Sequence, residues 1–142
     1  MLASRYNEVV TGKLVQGALE CCTRAGIPAA SVDVFWVPGA FELPVAARTA
    51  AASGRYACLV ALGAVVRGET PHFEYVAGAA ARGVGQVGVE YGIPVGFGVL
   101  TVDNLEQALE RAGGAAGNKG FEAAEAALRM ADLLGQIGQD GS

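Results

Sequence analysis

The sequence has few of the residues that characterise several large classes of protein. Only 17% of its 142 residues are charged, and the net charge of −4 includes no basic cluster, which argues against nucleic acid or an anionic membrane as a partner. It contains no run of about 18 uninterrupted apolar residues, so we expect no transmembrane helix. The N-terminus also lacks the basic-then-apolar order of a signal peptide, and we therefore expect a cytoplasmic protein.

Cysteine and histidine are scarce as well. The chain has three cysteines, Cys21, Cys22 and Cys58, which is an odd number, and they lack the spacing of a metal site. This favours buried or free thiols over catalytic ones. His72 is the only imidazole, so it is the natural group for proton transfer near neutral pH. A lone histidine is more often structural than catalytic, and both roles stay open at this point.

Apolar residues, by contrast, make up 52% of the chain. A chain of 142 residues is long enough for one domain with a real core, but it is too short to bury so much apolar surface alone. We therefore expect a single domain, residues 1–142, that associates with copies of itself. The Gly-, Gln- and Asp-rich end, residues 135–142, is expected to fray.

Strand-like and helix-like apolar patterns alternate along the chain. We predict strands at 1–4, 31–37, 57–66 and 95–101, the first as the last part of a strand whose beginning is missing, and helices at 8–25, 40–53, 71–91, 105–112 and 121–137. This order predicts an α/β fold, a three-layer sandwich whose four-stranded parallel sheet is flanked by helices on both faces. The glycine-rich segment 113–120 is expected to be a connector.

The stretch GAVVRGETPHF, residues 63–73, is the centre of the predicted site. It has the pattern of a buried strand that ends in a loop, with Thr70 as the N-cap and Pro71 as the first position of a helix. His72 would then lie in the first turn, where the helix dipole favours anions and the neutral imidazole. The strand ends 5–7 and 38–42 could face the same crevice, because ligands gather at the carboxyl ends of parallel strands.

One glycine motif and three basic residues allow a second interpretation. Residues 83–88, GVGQVG, match the dinucleotide pattern with Asp103 downstream, but they fall inside a predicted helix, so close helix packing is favoured. Arg111 and Lys119 could bind phosphate or be solvated surface charges. Arg67 follows a buried strand, where a structural ion pair is at least as plausible as substrate binding.

Four motifs occur together in a recognisable order: VPGAFELP at 37–44, GAVVRGETPHFEYV at 63–76, FGVLTVDNLEQALERAG at 97–113 and GNKGFEAA at 117–124. In these motifs the chain resembles the 6,7-dimethyl-8-ribityllumazine synthase family, from about Ala3 to Leu134. The resemblance implies a flavodoxin-like strand order and a transferase of riboflavin biosynthesis. That enzyme condenses 5-amino-6-(D-ribitylamino)uracil with 3,4-dihydroxy-2-butanone 4-phosphate to the lumazine, phosphate and water. No metal and no cofactor are implied.

The resemblance also assigns roles by position. His72 matches the family's proton-transfer residue. The ribitylaminouracil would be held by Tyr6, Ala40, Phe41, Glu42, Ala64, Val65, Val66 and Phe97, and the phosphate by Glu69, Thr70, Arg111 and Lys119. Phe97 and Arg111 are expected to come from a neighbouring subunit. Tyr6 stands where the family usually has Phe, so its ring can still stack while its hydroxyl needs a partner. Without the resemblance, plain core packing would be preferred for Tyr6 and Phe97.

The remaining expectations from the resemblance concern assembly. Family members form homopentamers whose active sites lie between neighbours, and some build a shell of roughly 60 subunits. The short connector at 113–120 favours the shell, and an association with riboflavin synthase is also implied. Most of the family's first strand and the arm before it are not expected here. The rival hypothesis is a protein of the same fold that binds flavin-like ligands or forms a shell without turnover.

Overall fold

The computed structural model describes residues 1–139, in which strands and helices alternate as predicted. The elements in chain order are β1 (Leu2–Ser4), α1 (Glu8–Arg24), β2 (Phe35–Val37), α2 (Leu43–Ala52), β3 (Leu59–Val66), α3 (His72–Tyr91), β4 (Val95–Val102), α4 (Leu105–Glu110), β5 (Ala112–Gly114), β6 (Gly117–Asn118) and α5 (Lys119–Gly138). Short 3-10 turns, Ala29–Ser31 and Ala40–Glu42, precede β2 and α2. Of the predicted frayed tail, 135–138 belong to α5, and 140–142 lie outside the described residues.

The sheet has four parallel strands in the order β2-β1-β3-β4, which confirms the predicted architecture and its flavodoxin-like order. Strand β1 is short but central, and Leu2 pairs with Phe35 on one side and with Ala61 on the other. Strand β2 forms only at Phe35–Val37 and not over the predicted 31–37, because each of its residues needs a partner on the equally short β1.

Helices cover both faces of this sheet. Helices α1 and α5 pack with Val60, Leu62 and Ala64 of β3 in one core, and α2 and α3 pack with Leu59 and Ala61 in the other. Successive residues of β3 thus point to opposite cores, as the period of a strand requires. A strand that is buried on both faces needs a continuous apolar sequence, which is the pattern from which β3 was predicted.

Two of the glycines of the GVGQVG motif, Gly83 and Gly88, are packing residues, as the sequence favoured, whereas a Cβ atom on Gly85 would meet nothing within 4 Å. A Cβ atom on Gly83 would lie only 2.6 Å from Cβ of Pro44, so this glycine allows α3 to approach the start of α2. Asp103, the acidic residue of the alternative dinucleotide interpretation, instead accepts a hydrogen bond from Nε of Arg67 at 2.9 Å. Arg67 therefore makes the structural ion pair that the sequence had left open.

One local prediction was wrong, and a second was incomplete. Helix α3 begins at His72, with Pro71 and not Thr70 at the N-cap, because the Pro71 carbonyl accepts the first bond of the turn from Glu74 N at 3.0 Å. The connector at 113–120 contains the antiparallel pair β5 and β6. Gly113 and Gly117 adopt φ values of 111° and 85°, which L side chains rarely adopt, and this explains the glycine-rich sequence.

The three cysteines are free thiols, as expected. Burial raises the pKa of Cys21, Cys22 and Cys58 above the ordinary thiol value, which keeps them protonated and poorly nucleophilic. None of the helices within residues 1–139 is both long enough and apolar enough to cross a membrane.

Candidate active site

A cleft of about 680 Å³ opens at the carboxyl ends of β1 and β3, beside the start of α3. In an open parallel sheet this is where ligands bind, because the loops that leave neighbouring strands diverge there. The residues that line it are Tyr6, Gly39, Ala40, Phe41, Glu42, Ala64, Val65, Val66, Gly68, Thr70, His72, Phe73, Tyr75 and Val76. Most of the predicted site residues therefore meet in one place.

The loop between β1 and α1 presents Tyr6 to this cleft. Arg5 N donates to the Val37 carbonyl at 2.8 Å and Tyr6 N donates to the Pro38 carbonyl at 3.1 Å, so the backbone continues the pairing of β1 with β2 beyond the strand end. The side chain of Tyr6 is left 72% exposed, although it is a large apolar ring. An exposed ring on the wall of a cleft is available for stacking against a flat ligand.

The turn Ala40–Glu42 forms the neighbouring wall. Ala40 is buried and anchors the turn, whereas Phe41 is 61% exposed. A Cβ atom on Gly39 would lie 3.2 Å from Oε1 of Glu42, so the glycine makes room for that carboxylate at the cleft. Its oxygens are hydrogen-bond acceptors, which suits a hydroxylated ligand.

The end of β3 and the start of α3 form the floor and the far wall. Ala64, Val65 and Val66 line the cleft, and His72 occupies the first residue of α3. The N–H groups of a helix's first turn have no partner within the helix, so they can donate to an anion. Glu69 lies in the same loop but does not line the cleft.

Sequence reasoning missed three lining residues of α3, namely Phe73, Tyr75 and Val76. Tyr75 and Val76, three and four residues after His72, share its helical face, and Phe73 lies three residues before Val76, so helical periodicity was the available signal. It also missed Asn7, whose Nδ2 donates to the Ala64 carbonyl at 3.2 Å and connects the Tyr6 loop to β3. Asparagine is one of the few non-glycine residues that accept a positive φ, and this was its only sequence signal.

The structure does not bring Phe97, Arg111 and Lys119 to this cleft. Arg111 and Lys119 line a second cleft of about 310 Å³ along the exposed edge of β4, together with Thr101 and Glu122. Nη1 of Arg111 donates to the Gln107 carbonyl at 3.1 Å, which holds the guanidinium at this edge. Phe97 is also on β4, pairs with Ala61 and remains 38% exposed.

Residues 1–135 match the family described as 6,7-dimethyl-8-ribityllumazine synthase. The chain is also 53% identical over 137 residues to a protein named 6,7-dimethyl-8-ribityllumazine synthase from Chlorobaculum tepidum (strain ATCC 49652 / DSM 12025 / NBRC 103806 / TLS), with 96% of this chain and 88% of that protein covered. The chain belongs to the 6,7-dimethyl-8-ribityllumazine synthase family. The predicted family, the transferase class and the condensation reaction of riboflavin biosynthesis are thereby confirmed.

Within residues 1–139, no three His, Cys, Asp or Glu side chains are grouped so that they could hold a metal ion. The polar side chains at the cleft of this lumazine synthase family member include the Glu42 carboxylate and the His72 imidazole.

Proposed function

We propose that the cleft lined by Tyr6, Glu42 and His72 is the active site in which this chain condenses 5-amino-6-(D-ribitylamino)uracil with 3,4-dihydroxy-2-butanone 4-phosphate. The observation that carries the proposal is the meeting of an exposed ring, a carboxylate and an imidazole from distant parts of the chain around one cleft. These are the groups needed to stack a pyrimidine, to bind hydroxyls and to move protons.

The ribitylaminouracil would occupy the part of the cleft between Tyr6 and the end of β3. The Tyr6 ring stacks on the pyrimidine, and the backbone of Ala64–Val66 offers the polar groups that recognise the edge of the uracil. The ribityl hydroxyls donate to Glu42, beside Ala40 and Phe41. This assignment uses only residues that line the same cleft.

The phosphorylated substrate would bind beside the start of α3. Unpaired N–H groups in the loop of Glu69 and Thr70 and the positive end of the helix dipole favour its phosphate there. A single protomer supplies few cations at this point, since Arg111 and Lys119 line the other cleft. We propose that these two residues, and Phe97, reach the site from a neighbouring copy.

His72 is proposed to transfer protons during the condensation. The 5-amine of the uracil condenses with the ketone to give an imine and one water. Loss of a proton from carbon and departure of phosphate then leave an enol that tautomerises to a new ketone, and attack of the ribitylamino nitrogen on that ketone closes the ring with loss of a second water. Each step moves protons between nitrogen, carbon and oxygen, so an imidazole at the mouth of the cleft accelerates several of them. Holding both substrates together contributes as well, by an effect that corresponds to about 7–11 kcal/mol in favourable intramolecular cases.

The division of the site between two clefts supports a homopentamer in which each active site lies between neighbouring protomers. A cyclic arrangement of identical contacts would bring the β4 edge of one copy to the strand-end cleft of the next. The shell of roughly 60 subunits and the association with riboflavin synthase rest on the family resemblance alone. A cytoplasmic location fits the three free thiols, because disulfides are rare in reducing compartments.

The experiment that tests the proposed function compares lumazine formation with and without protein. Both substrates are incubated with the purified chain, and the fluorescence of the lumazine is followed against a buffer control, since the condensation also proceeds spontaneously. We expect a rate well above the control. A rate equal to the control would overturn the proposal and favour the rival, a flavin-binding or shell-forming protein without turnover.

A further inference from the structure

Asn7 departs from the usual behaviour of a residue that starts a helix. It stands at the N-cap of α1, and its carbonyl accepts bonds from Val10 N at 2.9 Å and Thr11 N at 3.0 Å. An asparagine at this position normally has extended φ and ψ, and its side chain accepts an N–H of its own helix. Asn7 instead adopts φ 63° and ψ 46° and makes no side-chain cap bond.

The amide of Asn7 is used across the active-site cleft instead. Its Nδ2 donates to the carbonyl of Ala64 at 3.2 Å, a contact between residues 57 positions apart in the sequence. Ala64 belongs to the end of β3 that lines the cleft, and Asn7 directly follows Tyr6, which lines it from the other side. The left-handed conformation of Asn7 and its bond to Ala64 thus both affect the distance between Tyr6 and the end of β3.

We propose that Asn7 is a positioning residue that sets the separation between the Tyr6 ring and the end of β3, and so the fit of the pyrimidine between them. Tyr6 N is held to Pro38 on the β2 side, and the Asn7 amide provides the matching tie to the β3 side. Residues that depart from the usual backbone conformation and bonding of their position are concentrated at functional sites. At Asn7 the departure fixes the geometry of the stacking slot between the Tyr6 ring and β3. The inference rests on the proposed function of this cleft.

Two substitutions separate the contribution of the Asn7 side-chain hydrogen bond from that of its left-handed backbone conformation. Asn7→Gly keeps the left-handed φ and removes the donor, whereas Asn7→Asp tolerates that φ and places a carboxylate oxygen against the Ala64 carbonyl. We expect the KM for the ribitylaminouracil to rise about three- to tenfold in Asn7→Gly, the value of one lost hydrogen bond, and further in Asn7→Asp. The KM for the phosphorylated substrate and kcat should change by less than about twofold.

Tyr56→Phe is the matched control, because it also removes a bond between elements far apart in the chain but lies outside the cleft. The Tyr56 hydroxyl donates to Oδ2 of Asp33 at 2.6 Å, a bond that raises the pKa of the phenol. Tyr56→Phe should lower the melting temperature and leave both KM values unchanged. Asn7 variants that lower only the melting temperature, or that raise both KM values equally, would overturn the inference in favour of a purely structural role.

The same variants also separate this inference from the function on which it rests. If the wild-type chain does not exceed the buffer rate, the proposed function fails first, and titration with riboflavin as a probe for the stacking slot becomes the readout. Weaker binding by Asn7→Gly than by Tyr56→Phe would then still support the positioning role. Equal binding by both, or no binding by the wild type, would end it.

Discussion

At the scale of the residue, His72 owes its place to the dipeptide Thr70-Pro71. Pro71 has no N–H to donate and a fixed φ, so the helix starts directly after it, and the imidazole stands on the first turn of α3. The side chain lines the cleft and the residue remains largely exposed, which leaves the ring open to substrate. A group in this position is accessible to a substrate and does not contribute to the core of the fold.

We therefore expect His72→Ala to lower kcat by about ten- to a hundredfold, at the low end of general acid–base contributions, because the two substrates are still held together. The unfolding free energy should hardly change. Glu74→Ala, in the same turn but outside the cleft wall, is the control and should retain nearly full activity. Steady-state lumazine fluorescence gives both rates, and a complete loss in His72→Ala would mean that the imidazole does more than transfer protons.

Arg111 is the second residue whose removal has a distinctive signature. Its guanidinium is proposed to bind phosphate, so Arg111→Ala should raise the KM for the phosphorylated substrate about tenfold or more, the value of a charge-assisted bond. The KM for the pyrimidine should change far less. Arg129→Ala, which removes an exposed cation paired with Glu125 on α5, should change neither. Equal rises in both KM values would contradict the assignment.

At the scale of the element, the sequence was sufficient where a segment's own pattern determines its structure. Helix α3 shows apolar residues at steps of three and four, and β3 is apolar throughout because it is buried on both faces. The length of β2 depends on its partner β1, which no local window contains. The pairing of β5 with β6 was missed because glycines that allow a turn look the same in an open connector.

The contact between α2 and α3 gives a prediction at this scale. Gly83→Ala places a methyl group 2.6 Å from the rigid ring of Pro44, and we expect a loss of about 1–3 kcal/mol in the unfolding free energy. Gly85→Ala in the same helix meets nothing within 4 Å and should stabilise by about 0.5–1 kcal/mol, since alanine is the better helix former. Urea unfolding of both variants measures the difference, and equal effects would show that α3 does not pack closely at Gly83.

At the scale of the whole molecule, one protomer carries the predicted site residues in two separate clefts. Tyr6, Glu42 and His72 line the strand-end cleft, while Arg111 and Lys119 line another at the β4 edge. Motif resemblance could name these residues, because it follows positions along the chain. The resemblance also implied that Arg111 comes from a neighbouring copy, but the residues alone could not show this separation, since it depends on the order of strands in the sheet and on what a second copy contributes.

If each active site is shared between neighbouring copies, two variants that each lack a different group of the site should restore activity when they are mixed. His72→Ala lacks a group of the strand-end cleft, and Arg111→Ala lacks a group of the β4 edge. Co-expression in equal amounts should assemble mixed rings. About half of the clefts then have an intact His72, and about half of their neighbours have an intact Arg111, so both groups meet at about a quarter of the interfaces. With the phosphorylated substrate well below its KM, where Arg111→Ala alone retains about a tenth of the rate or less, the mixture should therefore recover about a quarter of the wild-type rate, above either variant alone.

The matched control co-expresses His72→Ala with Glu42→Ala. Both residues line the same cleft of one protomer, so every site in such a mixture lacks one of them, and no recovery is expected. Differently tagged chains purified through both tags ensure that only mixed assemblies are assayed. Equal rates in the two mixtures would mean that the groups work within one protomer, which would require Arg111 to move from the β4 edge to its own cleft on substrate binding.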